Sequence, residues 1–259
     1  MCLEEYQSME LMKNKRVGKV LLIVEGGKHE FNLLKKIFVD VLGYTQIEKR
    51  RTKDAGYYVR KGDSHSVVVV INTKTSNIAS IHEQEYLDNI YEQLIEKYDF
   101  DVNNAAIYYL FDRDPKSNTD VQLIRNLIQI LKNSRENENY IQGGMLILSY
   151  PAIEAYEISN FIEESFEMDA KLGIDLKQYI NCNAKVISMN KINEESIAHA
   201  GKELMNYLNK QKIDLNLDDF ANTNELVFEK EEQYMKENDA FQLISMFSCV
   251  LMDLGLLTI

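Results

Sequence analysis

The sequence predicts an α/β protein: a four-stranded parallel sheet flanked by helices, followed by a helical C-terminal region. Three observations predict it. Four short, continuously apolar runs recur within residues 1–165. Segments with apolar residues at helical spacing separate them. Beyond about residue 165 such runs give way to helical patterning. Continuous apolar strands that alternate with amphipathic helices are the pattern of a parallel sheet covered on both faces.

The first run, GKVLLIV (18–24), stops at Glu25-Gly26-Gly27, so a buried strand ends in a turn. Phe31, Leu33, Leu34, Ile37, Phe38, Val41 and Leu42 then recur at helical spacing over 28–42, and Gly43 is a good terminator. SVVVVINT (66–73) is rich in β-branched residues and reads as the second strand. Residues 82–98 read as a helix with Tyr86, Ile90, Tyr91, Leu94, Ile95 and Tyr98 on one face. AAIYYLF (105–111) is the third strand and runs into Asp112-Arg113-Asp114-Pro115. A helix over about 119–133 and a fourth strand, GMLILS (144–149), follow, and the latter leads through Tyr150-Pro151 into another helix. The alternation defines an α/β domain over 1–165. In the remainder, 166–259, segments 170–182, 193–210 and 239–256 read as helices, and 214–239 reads as acidic loop without strand signals.

Bulk composition narrows the function. A net charge of −12 counts against a protein that coats nucleic acid by neutralising phosphates, though not against one that meets phosphates through bound cations. Three widely spaced cysteines form neither a disulfide framework nor a zinc knuckle, which suits a reducing cytoplasm. The N-terminal stretch lacks the apolar core of a signal peptide. No run approaches the roughly 20 apolar residues of a membrane span; the C-terminal run is interrupted by Asp253 and reads as a buried or interface helix.

In such sheets ligands bind along the edge formed by the strands' carboxyl ends. Three acidic motifs fall there. Glu25 closes the first strand, Asp112 and Asp114 close the third, and Glu154 opens the helix after the fourth. Side chains two apart on an extended segment share a face, so Asp112 and Asp114 can point the same way. Grouped carboxylates repel unless protonated or neutralised, and a hard cation such as Mg2+ or Mn2+ is the usual neutraliser. Turn formation and helix capping are the alternative roles for acids at such positions.

These residues resemble the Toprim fold. Its pattern is a glutamate after the first strand, usually followed by glycine, and Asp-x-Asp after the third; LLIVEGGKHEF and IYYLFDRDP match both. Within that group the chain is most similar to RloB-like and OLD-type abortive-infection proteins, through Glu25, Gly26 and Glu30 and through Pro151, Glu154, Tyr156, Asn160 and Phe161. The resemblance covers about residues 18–165. Position 116 is Lys where some members carry a third Asp, Tyr156 stands for the usual Trp, and Asn160 for the usual His. Neither a topoisomerase module nor a Walker A motif accompanies the domain.

The resemblance implies a divalent-metal-dependent nuclease acting on DNA or RNA, in bacterial defence against phage. Glu25, Asp112, Asp114 and Glu154 would hold Mg2+ or Mn2+. Lys28 would assist catalysis; His29 reads as a solvated helix start or, alternatively, as a proton shuttle. A partner protein (an ATPase or sensor) or a homo-oligomer would complete the system. The alternative is an inactive Toprim module that docks a partner or nucleotide. Among other residues, Glu30 is expected to cap the helix or support the ligands, Glu157 to be a spare ligand, and Arg113 and Lys116 to face phosphate or offset the acids. The basic stretch KRRTKDAGYYVRK (49–61) is either a track for single-stranded nucleic acid or a solvated hairpin.

Overall fold

The four apolar runs pair side by side and in parallel. The computed structural model describes residues 9–50, 55–73, 78–82, 89, 91–92, 94–96, 98–135 and 143–258. The strands are β1 (Glu10–Leu11), β2 (Lys19–Val24), β3 (Tyr44–Gln46), β4 (Ala55–Arg60), β5 (Asp63–Asn72), β6 (Ala105–Asp112), β7 (Lys132–Asn133), β8 (Gly144–Tyr150), β9 (Asp169–Ala170), β10 (Phe241–Gln242), β11 (Ile244–Ser245) and β12 (Leu257–Thr258). Eight of these form one mixed sheet in the order β11-β8-β6-β2-β5-β4-β3, with β7 also on β8. The expected four-stranded sheet is therefore its parallel centre, β8-β6-β2-β5. The sheet is larger than expected because antiparallel strands extend both edges: β4 and β3 beyond β5, and β7 and β11 beside β8.

Burial explains the parallel centre. Val20 to Val24 are wholly buried, as are Leu146 and Leu148 of β8. Each such side chain contributes about 1.5–3 kcal/mol on leaving water. Helices supply the cover. They are α1 (Lys28–Lys35), α2 (Val121–Ile130), α3 (Glu154–Ser159), α4 (Gly173–Cys182), α5 (Glu194–Gln211), α6 (Phe220–Asn238) and α7 (Phe247–Asp253). The helix expected over 28–42 continues past α1 as a π-helical stretch, Lys36–Val41, with Leu42 N–H bonded to Ile37 O at 2.9 Å. The wider turn keeps Ile37 and Phe38 in the core before Gly43 reverses the chain at φ +75°. The expected helix over 82–98 is helical at its described positions from 89 onward; Leu94 and Tyr98 are buried but Ile95 is half exposed. Tyr86 and Ile90 lie outside the described residues. Asp120 caps α2 by accepting from Leu123 N–H at 2.9 Å.

The C-terminal region departs most from expectation. The acidic stretch read as loop contains the 19-residue helix α6. The helix expected over 239–256 is instead two short strands, α7 and a turn. So the region is not purely helical: β11 joins the main sheet against β8, where Ser245 and Ser149 hydroxyls meet at 2.8 Å. The apolar cluster around β2, β6 and β8 also takes in Phe220, Val227, Phe228 and Leu251. Among the described residues no helix is long and apolar enough to cross a membrane.

Candidate metal centre

Strands β2 and β6 are neighbours, with Val24 opposite Leu110. Their carboxyl ends therefore deliver Glu25 and Asp112 to one place. Glu25 N–H continues the ladder onto Leu110 O at 3.1 Å, and Glu25 Oε2 accepts from the Asp112 N–H at 2.9 Å. Asn118 Nδ2 donates to both Glu25 oxygens, at 3.3 and 3.1 Å, and to Asp112 O at 2.6 Å. Thr73, after β5, donates its hydroxyl to Glu25 O at 3.2 Å. Glu25 is 7% exposed. Burial pushes its carboxyl up from 4.5 to about 7, against the lowering hydrogen bonds from Asp112 and Asn118, while Glu30 and Asp114 push it further up.

Asp112 accepts from Ile153 N–H through Oδ1 at 2.8 Å, which ties β6 to the turn after β8. Its carboxyl is held well above the usual range by burial, then by Glu25, Glu154 and Glu30. Asp114 is half-buried and forms the next turn: its Oδ1 accepts from Lys116 N–H at 2.8 Å and its carbonyl accepts from Asn118 N–H at 3.0 Å. Glu154 is 2% exposed at the start of α3. His29 Nε2 stands 3.7 Å from Glu154 Oε1 and 3.4 Å from Glu157 Oε2, and Lys177 Nζ stands 3.4 Å from Glu154 Oε1. Burial raises the Glu157 carboxyl; His29 opposes this and Glu154 adds to it. Lys28 is exposed at the first turn of α1. Glu30 folds back over Gly26, where a Cβ would fall 2.2 Å from its Oε1, so the glycine makes room for this carboxylate.

The acids of this edge are not equivalent. Glu25 and Asp112 touch through the Asp112 N–H, and Asp114, Glu30 and Glu154 act on them electrostatically. Hard oxygen donors that repel one another suit a cation such as Mg2+ or Mn2+. Among the described residues, no group of three or more His, Cys, Asp or Glu side chains is arranged so that it could hold a metal ion. The carboxylates instead point to backbone and side-chain N–H donors.

Two expected roles do not hold. Arg113 is 4% exposed and faces away from the acids, pairing with Glu232 Oε1 at 2.6 Å and donating to Asn118 O at 2.7 Å. The basic stretch offers no stacked aromatic track at its described positions. Tyr57 and Tyr58, which as neighbours on β4 project to opposite faces of the sheet, are both buried. Arg50 lies 4.6 Å over the Tyr57 ring and donates to Tyr98 O at 2.8 Å, and Arg60 donates to the carbonyls of Lys13 and Lys15. Residues 51–54 of the stretch lie outside the described residues.

Sequence reasoning missed Asn118, Thr73 and Lys177. Asn118 lies only six residues beyond Asp112, where a turn amide gave no signal of its own. Tyr156 and Asn160, which differ from the resembled motif, are packing residues. The Tyr156 ring meets Phe247 at 4.8 Å, and Asn160 bridges Tyr156 O and the Ser196 hydroxyl at 2.8 and 2.9 Å. In comparisons with protein-family models, curated proteins and solved structures, nothing matches the chain.

Proposed function

We propose that the protein is a divalent-metal-dependent phosphodiesterase acting on DNA or RNA. The observation that carries the reading is the junction of Glu25 and Asp112 at the carboxyl ends of adjacent parallel strands, where burial and mutual repulsion oppose their ionisation. Glu25, Asp112 and Asp114 would hold Mg2+ or Mn2+, with Glu154 joining if it releases Lys177. Such a cation neutralises carboxylates and polarises phosphate oxygens. Asn118 and the Ile153 N–H orient the acids, and Lys28, exposed beside Gly27, supplies a cation toward an incoming phosphate. The Toprim resemblance supports the same chemistry and a setting in defence against phage.

The net charge of −12 favours a second reading, a non-catalytic module that docks a partner protein or a metal-nucleotide. One experiment separates the two. Wild type and Asp112→Ala are incubated with plasmid, single-stranded DNA and tRNA in Mn2+. Cleavage by wild type alone supports the nuclease; identical behaviour on every substrate removes it.

A further inference from the structure

Asn118 is 2% exposed, and every polar group of the residue is used. Its side-chain oxygen accepts from Ile78 N–H at 3.0 Å, just beyond β5. Its Nδ2 donates to the Glu25 carboxylate and to Asp112 O. Its backbone N–H reaches Asp114 O, and its carbonyl receives the Arg113 guanidinium. The amide orientation is fixed by chemistry. A flipped amide would set oxygen against a carboxylate and a carbonyl, and N–H against N–H. A side chain with two N–H donors and one acceptor on a short stem meets all three demands, and asparagine provides that set.

We infer that Asn118 is the positioning residue of the acidic edge, locking the Glu25 carboxylate to the backbone of Asp112 so that the two acids hold one mutual geometry. Glu25 follows β2 and Asp112 ends β6. The backbone ladder joins the strands through Glu25 N–H and Leu110 O, but among the described residues the Glu25 side chain itself is held only by the Asp112 N–H and the Asn118 amide. The amide spans both and is itself tied to the segment after β5 through Ile78. Supporting partners of this kind typically change metal affinity or activity by about 10–100-fold when removed. The consequence for metal binding rests on the phosphodiesterase reading; the consequence for Glu25 does not.

Two variants test the inference. Asn118→Ala removes donors and acceptor together. Asn118→Asp keeps the shape and the acceptor for Ile78, and so the fold, while removing both donors. Crystal structures of each are expected to show the Glu25 side chain displaced from the Asp112 N–H. Calorimetry with Mn2+ alone is expected to show Kd raised about 10–100-fold. Steady-state cleavage is expected to lose kcat while substrate KM stays within about twofold, a split that general loosening of the fold would not give. Glu25 unmoved in both variants, with unchanged Mn2+ affinity, overturns the inference and leaves the phosphodiesterase reading intact. Wild type that binds no Mn2+ removes the phosphodiesterase reading, and the Glu25 position in the variants still decides the role of Asn118.

Discussion

Arg113 Nε donates to Glu232 Oε1 at 2.6 Å, so the cation between the two aspartates of the acid pair serves helix α6 instead of the acids. Alternation along an extended chain dictates the direction: neighbours of Asp112 and Asp114 project to the opposite side. There the guanidinium lies 5.8 Å from the Phe228 ring centre and 5.5 Å from that of Phe241. The turn that carries the acids is thereby braced from behind by the C-terminal region.

Removing one partner of a buried pair strands the other charge, at a cost of about 3–5 kcal/mol. Arg113→Met is expected to lose stability on that scale in urea unfolding, because it leaves the buried Glu232 carboxylate without its cation. The double variant Arg113→Met with Glu232→Leu is expected to recover most of the loss. A single variant as stable as wild type would show that the pair does not brace the turn.

Asp112 illustrates the conflict between a site and its fold. Its carboxyl is buried beside Glu25, Glu154 and Glu30, which all oppose its charge. Asp112→Asn keeps an oxygen for Ile153 N–H and removes the charge, so the metal-free variant is expected to melt at or above the wild-type temperature at pH 7.5. Under the proposed function, Mn2+ at 100 times Kd stabilises wild type by about 2.7 kcal/mol and leaves the variant unmoved. Melting curves with and without Mn2+ check both halves. An equal Mn2+ response in the two proteins would detach Asp112 from metal binding.

The strands and the acidic edge were legible because their signals are local. An apolar run such as KVLLIV has one reading inside a βαβ pattern, and its end names Glu25. The adjacency of β2 and β6 is what brings Glu25 and Asp112 together, and no local pattern carries it. Helix α6 was illegible for a physical reason. Its inner face carries Asn224, Glu231 and Glu232 among Phe220, Val227 and Phe228, so the apolar stripe is broken by polar residues. Their partners, Leu146 O, Tyr207, Gln242 N–H and Arg113, come from distant segments that no local pattern exposes. The short strands β10 and β11 are hidden likewise, because FQLIS is apolar enough for either structure and its pairing partners, β9 for β10 and the edge of β8 for β11, lie far away in the sequence.

Asp253 interrupts the apolar C-terminal run for a reason now visible. Its carboxylate accepts from the Tyr108 hydroxyl, from the Ser134 hydroxyl at 2.6 Å and from Arg135 Nη1 at 3.3 Å, pinning the end of α7 to β6. Asp253→Ala leaves the buried Tyr108 hydroxyl without that acceptor and is expected to cost about 1–3 kcal/mol. Ser134→Ala, which removes one of three donors, is expected to cost about 0.5–1.5 kcal/mol. Denaturant melts that rank the two in the opposite order would reject the anchoring role.

The last expectation concerns pH. Glu231 is wholly buried on α6, accepting from the Tyr207 hydroxyl at 2.7 Å and from Gln242 N–H at 2.9 Å. Burial lifts its carboxyl from 4.5 to about 7, against those two hydrogen bonds, and Glu232 adds to the rise. The Tyr150 hydroxyl, also buried, senses Glu231, Arg113 and Glu232. A carboxyl raised in the folded state holds its proton there while the unfolded chain releases it. Its contribution to stability is therefore complete below about pH 4.5 and is lost as pH rises through about 7. The size is on the order of 3 kcal/mol at about 1.4 kcal/mol for each pH unit. Glu25, also raised to about 7, acts in the same window, with Asp112 and Glu157 raised in the same sense. Unfolding of the metal-free protein between pH 5 and 7.5 is thus expected to show stability falling as pH rises. Glu231→Gln is expected to flatten part of that slope without touching the response to Mn2+. The cation is expected to offset the Glu25 and Asp112 parts, because it favours ionised carboxylates at the acidic edge and has no access to Glu231. A slope unchanged by Glu231→Gln would mean that this carboxyl is not the titrating group.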